Sequence, residues 1–203
     1  MPLDRGGTVA GVVLAAGSSS RLGRNKLLLP IGGTTVLRRS ATVAIEAGLD
    51  PVLVVLGHEI ELALAELRGL SCTPVPNPDH AAGINTSLRA GIRAVPGQAA
   101  AAVVMLADMP FVTAAMVGAL LERFREGAAP LVLSSYGGIT APPTLYARSI
   151  FPELGDFQGE CGGKRVIKRH RAEAAEVVWP AAALADIDLP GDVDRVRGLL
   201  GGT

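Results

Sequence analysis

Two stretches of this chain carry side chains suited to handling phosphate. Leu14-Ala15-Ala16-Gly17-Ser18-Ser19-Ser20-Arg21-Leu22-Gly23-Arg24-Asn25-Lys26 follows an apolar run and gathers small residues, hydroxyls and cations in one loop. Gly17 has no Cβ to keep a phosphate off the backbone, and the N–H groups after it can form an anion-binding nest. Ser18, Ser19 and Ser20 add hydroxyls, Arg21 a planar fork, and Lys26 a compact charge on a flexible stem. The second stretch, Leu106-Ala107-Asp108-Met109-Pro110, sets a carboxylate just past another apolar run. An Asp there either holds Mg²⁺, which takes one or two carboxylates plus substrate phosphates, or opens a turn; position alone leaves both open. Further along, Asp186 and Asp188 flank Ile187, an alternation that puts both carboxylates on one side of an extended segment.

Two better-known phosphate motifs do not fit the loop. Five residues separate Gly17 from Gly23, and Arg24 follows, so the P-loop spacing fails. Gly17-Ser18-Ser19 lacks the second glycine of the dinucleotide fingerprint. Kinase-type and NAD-dependent oxidoreductase readings lose their main support.

The elements that must position these residues alternate. Val9–Leu14, Pro51–Leu56, Ala102–Leu106 and Leu131–Ser135 are apolar runs of strand length without alternation, as suits strands covered on both faces. Helical patterns lie between them: Thr35–Ala47 ended by Gly48, Glu59–Leu67 ended near Gly69, Asn85–Ala94, and Thr113–Arg125 with Thr113 as N-cap. The order predicts a mostly parallel sheet with helices on both faces. Ligands in such sheets bind beyond the carboxyl ends of the strands, where both phosphate-handling stretches fall. Residues 137–170 are less regular and read as an excursion from the sheet that builds an acceptor pocket. The tail, Asp186–Leu200, is expected to end in a helix that starts after Pro190-Gly191.

Bulk properties narrow the class. The 203 residues are 49% apolar and only 3% aromatic, which suits one compact domain spanning residues 1–203. Nineteen basic side chains cancel nineteen acidic ones, leaving no field to gather nucleic acid or an anionic membrane. No apolar run approaches a membrane span and no basic leader precedes the first one, so a cytoplasmic protein is expected. Cys72 and Cys161 have no metal-ligand spacing around them and read as reduced thiols.

LAAGSSSRLGRNKLLLPIGG resembles the opening signature of the MobA-like nucleotidyltransferases, with Leu22 where the family usually has Met. The branch it resembles is that of the molybdenum cofactor cytidylyltransferases. The resemblance implies a single Rossmann-like three-layer α/β domain of the nucleotide-diphospho-sugar transferase type. It implies a loop of Leu14, Ala15, Ala16, Gly17, Ser18 and Ser19 around the nucleotide, with Arg21 and Lys26 on the phosphates. It makes Asp108 a magnesium ligand, and Asp188, in a late D-I-D-L-P segment, a second one. Asn77, Gly83 and Ser87, in N-P-D-H-A-A-G-I-N-T-S-L, resemble the part that reads base and ribose, though residues alone allow a capped helix start. His80 stands where the family often has a large residue and receives no role. Ala16 resembles the cytidine-using branch, since the guanosine-using branch usually carries Gly there, and so implies CTP over GTP.

The implied reaction is transfer of CMP from CTP to molybdopterin with loss of pyrophosphate. Ala141-Pro142-Pro143-Thr144-Leu145-Tyr146 and Gly159-Glu160-Cys161-Gly162-Gly163-Lys164 depart from the cytidylyltransferase pattern at Ala141, Pro142 and Glu160, where the acceptor would bind. Another phosphorylated acceptor is therefore an alternative. A second is a non-catalytic nucleotide-binding partner of a molybdenum hydroxylase apoenzyme.

Overall fold

A computed structural model describes residues 6–17, 25–156, 162–184 and 192. Its elements run β1 (Val9–Ala15), β2 (Pro30–Ile31), β3 (Thr34–Thr35), α1 (Val36–Glu46), β4 (Val52–Leu56), α2 (Ile60–Glu66), β5 (Thr73–Pro76) and α3 (Ile84–Ala94). They continue with β6 (Ala101–Leu106), α4 (Ala114–Glu126), β7 (Leu131–Tyr136), β8 (Ile139–Ala147), α5 (Phe151–Gly155), α6 (Gly162–Arg169) and β9 (Ala175–Trp179). Seven strands form one sheet in the order β5-β4-β1-β6-β8-β7-β9, and β2 and β3 pair separately. Every pairing in the large sheet is parallel except those of β8 with β6 and β7.

Alternation along each strand splits the interior into two layers. On β1, Val9, Val13 and Ala15 join the cluster that holds Leu37 and Ala44 of α1 and Leu120 and Phe124 of α4. Ala10, Val12 and Leu14 join the other, with Leu88 and Ile92 of α3, Phe151 of α5 and Val166 of α6. Strands buried on both faces cannot alternate with polar residues, which is why four of them stood out as plain apolar runs. The helices also fall where their caps put them. Thr35 Oγ1 accepts from Arg38 N (3.3 Å) and Thr113 Oγ1 from Met116 N (3.2 Å), and Gly48 ends α1 with φ +75°.

Three strands of the large sheet, and the short β2–β3 pair, were not read from sequence. β5 and β9 lie at the sheet edges; β5 is Thr-Pro-Val-Pro, tolerable at an edge because proline has no N–H for a ladder. β8 corrects the expectation that 137–170 leaves the sheet: Ile139–Ala147 lies between β6 and β7. The Pro142-Pro143 pair fits because the register slips there, Leu133 facing Thr144 and Ser134 facing Ala141. The carbonyls freed by the slip find side chains instead. Ser134 Oγ donates to the Pro143 oxygen (2.7 Å) and Tyr136 Oη to the Pro142 oxygen (2.9 Å). Of the expected tail helix only Asp192 is described, and it is helical; the rest lies outside the described residues.

The chain runs from β1 outward through β4 to β5, then returns to β6 on the other side of β1. The carboxyl ends of β1 and β6 lie side by side and border a crevice, the edge at which ligands bind in parallel sheets.

Candidate active site

The two phosphate-handling stretches meet in that crevice. Ala107 N donates to the Leu14 oxygen (3.1 Å), continuing the β1–β6 pairing one step past the strands. Helix α1 then holds the loop from behind. Ser40 Oγ donates to the Ala107 oxygen (2.8 Å) and Arg39 Nε to the Pro110 oxygen (2.9 Å). Asp108 is thus carried on a backbone fixed on both sides.

Lys26 begins a single 3₁₀ turn, Lys26–Leu28, capped by Asn25, whose Oδ1 accepts from Leu27 N (3.1 Å). Lys26 Nζ lies 2.6 Å from Asp108 Oδ2, with the two side chains 14% and 22% exposed. A pair shielded that far attracts more strongly than one in bulk water, yet stays reachable by a ligand. It faces a cavity of about 410 Å³ lined by Leu14, Ala15, Ala16 and Gly17 on one side and His80, Gly83 and Ser87 on another.

The wall opposite the loop is built on Asn77. Its N–H, one residue past β5, donates to the Leu56 oxygen at the end of β4 (2.8 Å). Its Nδ2 donates to Thr86 Oγ1 (2.9 Å) and Ser87 Oγ (3.0 Å), while Oδ1 accepts from Asp79 N (3.1 Å). Asn77 and Ser87 are both 4% exposed. Asn77 therefore shapes the turn into α3, and Ser87 is the member of the pair on the cavity wall. Gly83, just before α3, has φ +106°, a conformation that side chains rarely adopt.

A second cavity of about 480 Å³ shares Leu14, Gly83, Ile84 and Leu106 with the first. Its own walls include Leu88, Val104, Thr140, Pro142, Tyr146 and Lys164. Burial pushes the Tyr146 hydroxyl well above its ordinary pKa, against an opposing hydrogen bond with Thr144, so it stays protonated at neutral pH. This cavity is more apolar than the first, with Lys164 as its basic side chain.

Comparison with known proteins decides the family: the MobA-like NTP transferase domain matches residues 11–175. The chain belongs to that family. It is 32% identical to the purine catabolism protein PucB of Bacillus subtilis, covering 92% of this chain and 95% of that one. It is 30% identical to the molybdenum cofactor cytidylyltransferase of Escherichia coli, covering 89% and 91%. The solved structure of Rv0371C from Mycobacterium tuberculosis in complex with manganese superposes with a TM-score of 0.77 at 28% identity, covering 95% and 98%. The fold is that of the family's nucleotidyltransferases.

For a MobA-like NTP transferase the expected residues gather closely. Leu14, Ala15, Ala16, Gly17, Lys26, Gly83, Ser87 and Asp108 all line the first cavity, and Asn77 braces it from beneath. Ser18, Ser19, Arg21 and Asp188 lie outside the described residues. Among the described residues no cluster of three or more His, Cys, Asp or Glu could hold a metal ion. Asp108 with substrate phosphates is a donor set of the kind Mg²⁺ uses. No helix among the described residues is long and apolar enough to cross a membrane. His80, which carried no role in the sequence reading, lies on the cavity wall. Its signal was weak: one imidazole in a polar turn, three residues ahead of Gly83.

Proposed function

We propose that the protein is a cytoplasmic Mg²⁺-dependent cytidylyltransferase that transfers CMP from CTP to molybdopterin and releases pyrophosphate. The observation that carries this is the Lys26–Asp108 pair above the ends of β1 and β6, in a cavity sharing a wall with a second one. A terminal phosphate oxygen of the acceptor attacks the α-phosphorus. The bond from that phosphorus to the oxygen bridging to the β-phosphate breaks, and pyrophosphate departs with the electron pair. Gly17, without a Cβ on the cavity wall, lets the phosphates approach the backbone, and Lys26, once turned from Asp108, offsets charge on the leaving group. Asp108, with Asp188 as a second candidate, would hold the metal ion, whose chemistry there would be to offset phosphate charge. Positioning does most of the work in such transfers, and the second cavity supplies it for the acceptor.

One observation favours a second reading, a phosphorylated acceptor other than molybdopterin. Ala141 and Pro142, two of the departures from the cytidylyltransferase pattern, both line the second cavity. Pyrophosphate release measured with each NTP, Mg²⁺ and molybdopterin separates the readings. Release with CTP alone, lost in Asp108→Asn, supports the first. Release that requires a different phosphorylated acceptor supports the second. If neither CTP nor GTP with Mg²⁺ shifts the melting temperature, the nucleotide assignment is wrong.

A further inference from the structure

We propose that His80 contacts the nucleoside half of the bound NTP, and that Gly57 is glycine in order to seat it. This rests on the nucleotide reading above and adds a recognition residue to it. Gly17, Lys26 and Asp108 place the phosphates above β1 and β6. The wall carrying His80 hangs from the other side of β1. Asn77 N bonds the Leu56 oxygen at the end of β4, and His80 N bonds the Asn77 oxygen (3.3 Å). Sheet order therefore separates the two ends of the ligand, phosphates toward β6 and nucleoside toward β4.

The ring of His80 is held in place from below. A Cβ on Gly57 would come 2.5 Å from both Cβ and Cγ of His80 and 2.9 Å from Cδ2. Gly57 has no positive φ to explain it, so close approach to the imidazole is the reason a side chain is missing there. The His58 ring flanks it at 6.4 Å between centroids, tilted 51°. Neither imidazole nitrogen of His80 has a hydrogen-bond partner among the described residues. A planar ring seated on bare backbone at a cavity wall suits stacking on a base.

The test compares two probes on four proteins: Mg²⁺–CTP and Mg²⁺–tripolyphosphate with wild type, His80→Ala, Gly57→Ala and the double variant. His80→Ala and Gly57→Ala should each weaken CTP about tenfold or more, the scale of one lost base stack, and leave tripolyphosphate unchanged. The double variant should bind CTP no worse than His80→Ala, because the added methyl has no ring left to displace. His80→Phe, which keeps the stacking face, should recover most of the affinity. It also decides the matter with His80→Ala should Gly57→Ala fail to fold. Unchanged CTP binding in His80→Ala, equal losses for both probes, or additive effects would overturn the proposal. If the wild type binds neither CTP nor GTP, the nucleotide reading falls and takes this one with it; binding that ignores His80 sinks this one alone.

Discussion

Ser40 Oγ donates a 2.8 Å hydrogen bond to the carbonyl of Ala107, so the residue before Asp108 is tied to helix α1 rather than left to its loop. Both residues are buried, at 5% and 0% exposure. Ser40→Ala strips the donor from a carbonyl that water cannot reach, a loss of about 1–3 kcal/mol. A lower melting temperature is expected, together with a fall in kcat as Asp108 loosens. Retained kcat in a destabilised variant would show that the tie serves the fold alone.

The Lys26–Asp108 pair separates stability from activity. Being partly shielded, it should contribute to stability only about 1 kcal/mol, as exposed pairs do, or little more. On the proposed reading, Asp108→Asn removes the carboxylate that would hold the metal ion and with it several kcal/mol of charge stabilisation, so activity should fall by about a thousandfold. Lys26→Met should show the same imbalance. Melting curves beside pyrophosphate release check it: a stability loss as large as the activity loss would make the pair structural.

Gly91 sets two opposing effects against each other. Alanine at a helix interior is worth about 1 kcal/mol over glycine. Here its Cβ would meet Val12 Cγ1 at 2.4 Å and Val55 Cγ2 at 3.0 Å, and both valines are fully buried. Overpacking costs about 1–3 kcal/mol and should win. Gly91→Ala should lower the melting temperature, and Val12→Ala in the same chain should restore part of it.

Glu153 of α5 accepts from Arg169 (2.6 Å) and bonds His170 Nε2 (2.7 Å) at the end of α6. Burial alone would raise the carboxyl's pKa. Hydrogen bonds from His170 and Arg169 outweigh it and hold the group below its ordinary 4.5. A carboxyl lowered in the folded state stabilises above its unfolded value, and that contribution fades as pH falls through the folded one. The melting-temperature gap between wild type and Glu153→Gln should therefore be full at neutral pH and shrink below about pH 4.5. A gap that is constant with pH would place the effect elsewhere.

Sequence and structure agree where one physical cause dominates. β1, β4, β6 and β7 were legible because burial on both faces demands unbroken apolar runs. Ala107-Asp108 was legible because the chain direction of a parallel strand puts its next residues at the ligand-binding edge. β8 was not, since its prolines are accommodated by Ser134 and Tyr136, which reach them from a different strand. Asn77 sits in the expected segment, but its amide is committed to Thr86 and Ser87, a partnership that only the turn reveals. His80 escaped notice because nothing beside it in the chain marks it, and the contact that explains Gly57 spans more than twenty residues of chain.

The break in register at Pro142-Pro143 has an evolutionary side. Hydrogen bonding restarts independently on either flank of the slip, at Ala141 and at Thr144. Residues gained or lost between those points leave Leu145 and Tyr146 on their present faces. The β8 wall of the larger cavity can thus diverge without disturbing the strands beneath the smaller one, so a lineage could exchange what it modifies while keeping the means of activating it.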